Sequence, residues 1–171
     1  MTRAMAKPKK PSKPSSVQRP LRIAHAPKRD TRTQFAALPF RVSKKKGGSG
    51  VEVLLVSSLD SGRWIIPKGW PMDGLTPAEA AGREAWEEAG ATGRMHETCL
   101  GLYSYNKWID EELTLPVIVA VFPLEVKRLH DTFPEAEKRR RKWVSLKKAA
   151  QRVDEYELKQ MIRGFSLDRL R

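Results

Sequence analysis

Short apolar runs separated by polar, glycine- or proline-containing stretches predict a series of β-strands along most of the chain. Residues 34–42 and 51–56 predict two early strands, the second one mostly buried. Residues 98–107 and 113–126 predict two later strands, and residues 143–145 predict a short one. Two prolines interrupt the 113–126 run, which indicates an edge or a bend there.

The pattern changes to a helical one between two of these strands. Thr76 is a suitable N-cap, Pro77 fits the first helical position, and Glu79 completes a capping box. The alanines that follow favour helix, and Gly90 is a suitable stop. These signals predict a helix between Thr76 and Gly90.

Two further helices are predicted near the end of the chain. One covers residues 146–153, and Asp154 is the predicted cap of the last one. The predicted inner side of this last helix consists of Tyr156, Leu158, Met161, Ile162 and Phe165. Alternating strands and helices are compatible with layered α/β packing.

The charge is unevenly distributed and divides the chain into two parts. The net charge is +13 over 171 residues, and residues 1–32 contribute ten Lys or Arg and a single acid. This Pro-, Lys- and Ser-rich segment is predicted to be a disordered tail, and residues 33–171 are predicted to be the folded domain. The tail has two interpretations: it binds nucleic acid or another acidic surface, or it only improves solubility.

Compartment signals are few. The single cysteine, Cys99, excludes an intramolecular disulfide, which fits a reducing cytoplasm. No apolar run reaches the ~20 residues of a membrane span, and the first 30 residues lack the apolar stretch of a secretory signal. We therefore predict a cytoplasmic protein without a membrane partner, and the sequence leaves its oligomeric state open.

The predicted 76–90 helix carries the most informative side chains. Glu84, Glu87 and Glu88 stand three and four positions apart, so they share one face. Like charges at this spacing cost about 0.2–0.5 kcal/mol per pair in an isolated helix, and a bound cation would offset that cost. Oxygen-rich sites suit Mg²⁺ or Mn²⁺. The alternative is an ordinary solvated acidic face.

The wider spacing pattern resembles a known family. The residues that carry it are Gly69, Arg83-Glu84, Glu87-Glu88 and Gly90. They resemble the signature box of the Nudix hydrolases, and the order of the preceding strands is similar to that family as well. The resemblance implies an α/β/α sandwich with a mixed β-sheet. One position departs from the box, because Leu75 stands where the family has its first glutamate.

The resemblance also implies roles for the box residues. It implies that Glu84 and Glu88 bind Mg²⁺ directly, with Mn²⁺ as an alternative, and that the main-chain carbonyl of Lys68 assists them. It implies Glu87 as the general base and Arg83 as an orienting residue. From the residues alone, any of the three carboxylates could take either role.

The departure at Leu75 removes the usual partner of the box arginine. Glu79 lies four residues before Arg83, a favourable helical arrangement for an ion pair. Glu87 lies four residues after Arg83 and competes for it. We predict that Glu79 holds Arg83 and that Leu75 packs under the loop.

The segment before the box narrows the resemblance to a subfamily. Ser57-Ser58, Arg63-Trp64 and Pro67 resemble the diphosphoinositol and diadenosine polyphosphate phosphohydrolases. The predicted substrate-binding residues are Ser57, Ser58, Arg63, Lys68 and Gly69, since hydroxyls and cations suit phosphate oxygens. Leu59 stands where that subfamily has an arginine, which disfavours an inositol polyphosphate.

Two other groups of residues have two interpretations each. The basic run at residues 138–142 is either a protected strand edge or a wall that binds a polyphosphate chain. The tryptophans Trp70, Trp86 and Trp108 either stack on a base or serve the core and loops.

The most direct hypothesis from the whole sequence is a magnesium-dependent hydrolase of a phosphoanhydride bond. Its substrate would be a nucleoside, dinucleoside or inositol polyphosphate. The alternatives are an RNA 5′-pyrophosphohydrolase, for which the basic tail would have a purpose, and a catalytically inactive Nudix-fold binding module, for which Leu75 is the hint. A plain nucleic-acid binder rests on charge alone.

Overall fold

The computed structural model describes residues 32–43, 50–108 and 114–170. Within these ranges the strands are β1 (Thr33–Val42), β2 (Val51–Ser57), β3 (Trp64–Ile65), β4 (Lys68–Gly69), β5 (Ala91–Met95), β6 (Gly101–Trp108), β7 (Thr114–Leu129) and β8 (Arg141–Ser145). The helices are α1 (Pro77–Ala89), α2 (Leu146–Arg152) and α3 (Tyr156–Arg163), followed by a 3₁₀ turn at Leu167–Leu170. The predicted tail, apart from Arg32, and most of the predicted turns at 44–50 and 108–112 lie outside the described residues.

The strands form one mixed sheet, as the resemblance implied. β1 runs parallel to β7, and the other described strand pairs are antiparallel. β1 and β2 pair only at one end, through residues 40–42 and 51–53. At the other end the short strands β3 and β4 lie between them: β3 pairs with β2, and β4 pairs with β1. The segment that leads into the acidic helix is therefore held between two central strands.

Both faces of this sheet are covered by helices. Successive side chains of a strand point to opposite faces, and here they enter two separate apolar clusters. Leu38 and Phe40 of β1 belong to a cluster that also contains α2 and α3, whereas Phe35 and Ala37 pack with α1. This arrangement is the α/β/α sandwich that was expected.

The longest strand, β7, accommodates its two prolines at changes of partner. On one side it pairs first with β6, up to Val121, and then with β5, from Leu124 onward. Pro123 lies between these two pairings, where a missing N–H costs least. Pro116 precedes Ile118, the first β7 residue that pairs with β1. The prolines thus mark partner changes within a continuous strand.

Three details differ from the sequence-based predictions. β5 was not predicted, because its five residues have a weak apolar pattern and are held by pairing with β7 across a bulge. Asp154 is not the cap of α3; Glu155 occupies that position and makes no side-chain cap bond. Tyr156 does not face inward, since it is 70% exposed, whereas Leu158 and Ile162 are buried. None of the helices in the described ranges is long and apolar enough to cross a bilayer.

Candidate active site

Helix α1 is fixed at both ends, as its sequence predicted. Thr76 accepts a hydrogen bond from the Glu79 N–H, and the Glu79 carboxylate accepts one from the Thr76 N–H at 2.8 Å, which completes the capping box. Gly90 ends the helix with a left-handed φ of 63°. Arg141 donates to the carbonyl of Ala89 at 2.9 Å, so a cation lies at the negative end of the helix dipole.

The inner face of α1 is made of small side chains. Its buried apolar residues are Ala78, Ala80, Ala81, Ala85 and Ala89. Helix packing distance depends on the side chains at the contact, so alanines let α1 lie close to the sheet. The helix therefore brings its glutamates within reach of the β3–β4 segment.

Glu84 lies directly against Gly69. A methyl group on Gly69 would be 2.6 Å from Glu84 Oε2 and closer still to Oε1, so only glycine leaves room for this carboxylate. Gly69 is itself buried in β4, which pairs with β1. Two positions fifteen residues apart in the sequence thus form one cradle.

This contact allows a sharp test by mutation. Gly69→Ala should retain the fold, because the group that must move is the end of a flexible side chain, but it should displace the Glu84 carboxylate. We expect turnover to fall at least about tenfold with little change in the melting temperature, since misplacing a reacting group by about 1 Å costs up to 10²-fold. Gly82→Ala is the control, because Gly82 lies on α1 together with Glu84 but faces Met95. Unchanged turnover in Gly69→Ala would contradict the role given to Glu84.

Glu88 is the buried carboxylate of the group, with 8% of its side chain exposed. Its Oε1 accepts from Arg139 Nη2 at 2.8 Å, and its Oε2 accepts from the Lys68 N–H at 3.4 Å. Burial raises the pKa of Glu88 to about 7, although the nearby charges of Arg139 and Lys68 act in the opposite direction. Glu88 thus joins α1 to the β4 segment.

Arg139 is a site residue that the sequence analysis did not single out. Its side chain is 7% exposed, and it contacts Glu88, the Glu135 carboxylate and, at 2.9 Å, the carbonyl of Ser57. A buried guanidinium with several acceptors is held rigidly. The only sequence signal was its membership in the basic run 138–142, and that signal does not distinguish one cation from the next.

The residues of the basic run 138–142 have different surroundings in the structure. Arg139 and Arg141 point into the protein, and Arg140 lies over the Trp64 ring at 5.5 Å. Lys138 and Lys142 are exposed. β8 begins within the run and pairs only with β2 among the described strands, so the strand-edge interpretation applies to its exposed lysine. The run is not a continuous phosphate-binding wall.

Arg83 has a different partner from the one predicted. It pairs with Glu87 at 2.6 Å between Nε and Oε1, and the predicted pairing with Glu79 is wrong. The Glu79 carboxylate is used by the helix cap instead. Leu75 is partly buried and packs against the apolar cluster that contains Phe35, Ala37 and the alanines of α1.

The capping role gives Glu79 a testable effect on stability. Glu79→Ala removes one half of the capping box and should lower the free energy of unfolding by about 0.5–2 kcal/mol, the usual range for lost caps. Turnover per folded molecule should stay within about twofold of wild type. Urea unfolding and a turnover assay on the same sample would measure both, with Glu157→Ala on α3 as the control. A large loss of turnover without a loss of stability would restore the discarded Glu79–Arg83 interpretation.

The remaining predicted substrate contacts separate into two groups. Ser58, Arg63 and Lys68 line an open cleft of about 870 Å³. Ser57 is buried, its hydroxyl accepts from the Arg140 N–H at 2.9 Å, and it does not line the cleft. Ser57 therefore joins β2 to the 139–140 segment and is not placed to contact a substrate.

Lys68 connects the acidic helix to this cleft. Its N–H faces Glu88, while its ammonium lies 5.2 Å from the centre of the Tyr105 ring. Burial lowers the pKa of Lys68, with Glu88 opposing and Arg63 adding to that effect. In this position the Lys68 ammonium can bind an anionic group that extends from α1 into the cleft.

The residues present fit a divalent cation. Glu84 and Glu88 flank the Lys68–Gly69 segment, and the cradle over Gly69 is kept open for a carboxylate. In the described part of the chain no three His, Cys, Asp or Glu side chains converge as a complete site. Arg83 and Arg139 hold Glu87 and Glu88 respectively. A hard cation such as Mg²⁺ needs few protein ligands, because it keeps several waters and binds substrate phosphates.

An α/β/α sandwich with an acidic helix packed on a glycine of a short strand defines a narrow class of proteins, and comparison with known proteins identifies it. A family model described as NUDIX domain matches residues 32–165. The chain belongs to the Nudix hydrolase family, whose members generally use divalent metal ions.

Relatives of known sequence agree with this assignment. Nudix hydrolase 21, chloroplastic, from Arabidopsis thaliana is 37% identical over 136 residues, which are 78% of this chain and 66% of the relative. Nudix hydrolase 16, mitochondrial, from the same plant is 33% identical over 130 residues, which are 71% of this chain and 72% of the relative. Across the first three relatives the chain spans 61–66% of their length, or just under two thirds.

Solved structures show the same fold. A C. elegans Ap4A hydrolase superposes with a TM-score of 0.52 at 22% identity, over 77% of this chain and 92% of that one. The fold predicted from the sequence is thereby confirmed.

Proposed function

We propose that this protein is a magnesium-dependent hydrolase that cleaves a phosphoanhydride bond in a nucleoside, dinucleoside or inositol polyphosphate. The observation that supports this most is the cradle in which Gly69 leaves room for Glu84, beside Glu88 and the Lys68 N–H. An acidic face on an ordinary solvated helix does not need such a fit. The Ap4A hydrolase neighbour is consistent with the same general chemistry.

In this mechanism Glu84 and Glu88 would hold the metal, with the Lys68 carbonyl as a further ligand. The bound Mg²⁺ would neutralise phosphate charge and activate a water molecule. The Lys68 ammonium binds a phosphate oxygen next to the bond that breaks. Arg139 keeps Glu88 in place through its 2.8 Å contact, so the position of the carboxylate does not depend on the substrate.

Glu87 is the proposed general base. Its carboxylate is held by Arg83, at 2.6 Å between Nε and Oε1, which fixes its position on the helix face. The same pair gives Arg83 its orienting role without the family glutamate that Leu75 replaces. The hint that Leu75 provided for an inactive binding module is therefore weakened.

The experiment is a product analysis over a substrate panel. Purified full-length protein is incubated with nucleoside triphosphates, diadenosine polyphosphates and diphosphoinositol pentakisphosphate, each with Mg²⁺, with Mn²⁺ and with EDTA. The proposal expects turnover with a metal and none in EDTA, with ¹⁸O from water in one phosphate product. Absence of turnover on the whole panel, or equal turnover in EDTA, would contradict it.

The basic tail supports the second candidate, an RNA 5′-pyrophosphohydrolase, because residues 1–32 concentrate cations that suit nucleic acid. Deleting residues 1–30 should leave turnover of small polyphosphates within about twofold. The same deletion should weaken binding to a 5′-triphosphorylated RNA and reduce its salt dependence. A similar large loss with both substrates would show instead that the tail belongs to the active site.

Cellular location stays a prediction. The relatives named above are called chloroplastic and mitochondrial, and those names apply to the plant proteins. For this chain, cytoplasmic location rests on its cysteine content.

A further inference from the structure

The turn at residues 134–138, between β7 and β8, packs against the C-terminal end of α1. Phe133, just before this turn, is buried, and a methyl group on Gly90 would lie 2.6 Å from the Phe133 ring. The N–H of Glu135 donates to the carbonyl of Glu87 at 3.1 Å. That carbonyl is in the last turn of α1, where carbonyls lack a partner within the helix. The backbone of Glu135 is therefore fixed to α1 at the proposed general base.

The side chain of Glu135 is engaged with Arg139. The N–H groups of Lys138 and Arg139 donate to the Glu135 carbonyl at 3.0 and 3.1 Å, so the turn brings Arg139 back beside Glu135. The Glu135 carboxylate accepts a hydrogen bond from Arg139 Nε, and Arg139 Nη2 donates to Glu88 Oε1 at 2.8 Å. One guanidinium thus joins two carboxylates, and it uses a different nitrogen for each of them.

The charges of these three side chains bear on how Glu88 could bind a metal ion while it is paired with an arginine. A guanidinium on Glu88 alone would cancel the charge of that carboxylate and repel a divalent cation. With Glu135 included, two carboxylates share one guanidinium, so the group keeps a net negative charge. Arg139 and Glu88 are 7% and 8% exposed, and charges near a protein surface interact with an effective dielectric constant of about 20 rather than 80. The charge of Glu135 therefore acts strongly on this pair.

Glu135 differs in position from the proposed metal ligands. Its side chain is 28% exposed, and its carboxylate is bound to Arg139. In the part of the chain that the structure describes, no three His, Cys, Asp or Glu side chains come together as a metal-binding group. Glu135 is thus not placed with Glu84 and Glu88 as a third ligand. Any influence on the metal site passes through Arg139.

We propose that Glu135 is a positioning residue of the metal site: it orients Arg139 and neutralises its charge, so that Arg139 holds Glu88 without competing with the metal ion. The proposal rests on the metal-dependent function proposed above. Substitution of the outer partners of metal ligands typically changes metal affinity or activity about 10–100-fold. Because Glu135 acts through one intermediate residue, we expect an effect near the lower end of this range.

The test measures Mn²⁺ binding by electron paramagnetic resonance in the full-length protein. Glu135→Gln keeps the size of the side chain and an oxygen that accepts from Arg139 Nε, but it loses the negative charge. The dissociation constant for Mn²⁺ should rise about tenfold with little change in the melting temperature. Glu137→Gln is the control, because it makes the same charge change in the same turn at an exposed position. It should change the constant less than about twofold at moderate salt, which screens exposed charges.

Turnover against Mg²⁺ concentration separates a positioning role from a direct one. Because Glu135→Gln is expected to weaken metal binding only, saturating Mg²⁺ should return its kcat to about the wild-type value. A deficit of about tenfold or more at saturating Mg²⁺ is the size expected from general acid–base catalysis or beyond positioning through Arg139. That result would give Glu135 a part in the chemistry itself and would overturn the proposal.

A measurement without metal tests the shared guanidinium. Urea unfolding in EDTA compares wild type, Glu88→Gln, Glu135→Gln and the double variant. In each single variant one carboxylate still offsets the charge of Arg139, whereas the double variant leaves a buried guanidinium without either. The double variant should therefore lose more stability than the two single variants together. Simple additivity would overturn the proposal.

The outcomes separate this proposal from the metal-dependent function on which it rests. Equal Mn²⁺ affinities for wild type and Glu135→Gln would overturn the positioning role and leave the metal site in place. Loss of the fold in Glu135→Gln would also overturn it, because the residue would then be structural. A wild-type protein that binds no Mn²⁺ would reject the proposed function, and coupling in the unfolding cycle would then mark only a structural ion pair.

Discussion

Replacing Glu88 by glutamine is expected to lower turnover of a susceptible nucleoside polyphosphate at least about a hundredfold. The amide keeps the shape of the carboxylate but loses the charge that binds a divalent cation. Glu87→Gln is expected to have an effect of the same order for a different reason, because it removes the proposed base; general acid–base catalysis contributes about 10²–10⁴-fold. The two variants differ in their response to metal, since raising the Mg²⁺ concentration should partly restore Glu88→Gln only.

Initial rates measured against Mg²⁺ concentration would test both substitutions. Glu137→Gln is the matched control, because it makes the same chemical change on the exposed loop near Arg139. Its turnover should equal that of wild type. Melting temperatures of all three variants would exclude unfolding as the cause. Near-normal turnover in both Glu87→Gln and Glu88→Gln would remove the catalytic roles of this helix face.

Replacing Arg139 by methionine is expected to cause the largest loss of stability. Arg139 is buried with Glu88 and also pairs with the partly exposed Glu135, so its removal leaves the buried charge of Glu88 without this partner. Breaking a buried ion pair from one side costs about 3–5 kcal/mol. Arg140→Met, at the next residue but exposed, should cost less than about 1 kcal/mol.

A double variant separates the charge effect from simple loss of packing. Arg139→Met combined with Glu88→Gln removes both charges and should be more stable than Arg139→Met alone. Urea unfolding of wild type, of both single variants and of the double variant at neutral pH would provide the four free energies of the cycle. If Arg139→Met costs less than about 1 kcal/mol, or if the two substitutions simply add, the ion pair is not what organises Glu88.

Local signals explain why α1 was predictable. The cap residues Thr76 and Glu79 and the stop at Gly90 act within a few positions, so the sequence contains the whole interaction. The spacing of the glutamates then places them on one face whatever surrounds the helix. The cradle at Gly69 was predictable only through the family resemblance, because the contact with Glu84 depends on how α1 packs on β4.

Other features depended on tertiary contacts. β5 is a strand because β7 continues past Pro123 and offers a free edge, which its own five residues do not reveal. Arg139 is a functional candidate because of its burial and the partners contributed by distant segments. In the sequence, Arg139 appears as an ordinary charged residue in charged surroundings.

The partner of Arg83 shows how two local rules compete for one residue. Glu79 satisfied both the capping box and the i,i+4 pairing rule, and the cap prevailed. The cap satisfies a backbone N–H that would otherwise lack a helical partner and is worth about 1 kcal/mol. An exposed ion pair contributes about 0.2–0.5 kcal/mol, and Arg83 obtains that from Glu87. When one side chain can make either interaction, the interaction with the larger stabilising free energy forms.

The carboxylates of α1 and the Gly69 segment of β4 together form the proposed divalent-metal site. Its most direct test is Mn²⁺ binding measured by electron paramagnetic resonance, which detects the free ion without any assumption about the substrate. Wild type should bind Mn²⁺ competitively with Mg²⁺, and both Glu84→Gln and Gly69→Ala should weaken that binding at least about tenfold, while Glu137→Gln should not. Identical titration curves for wild type, Glu84→Gln and Gly69→Ala would contradict the account.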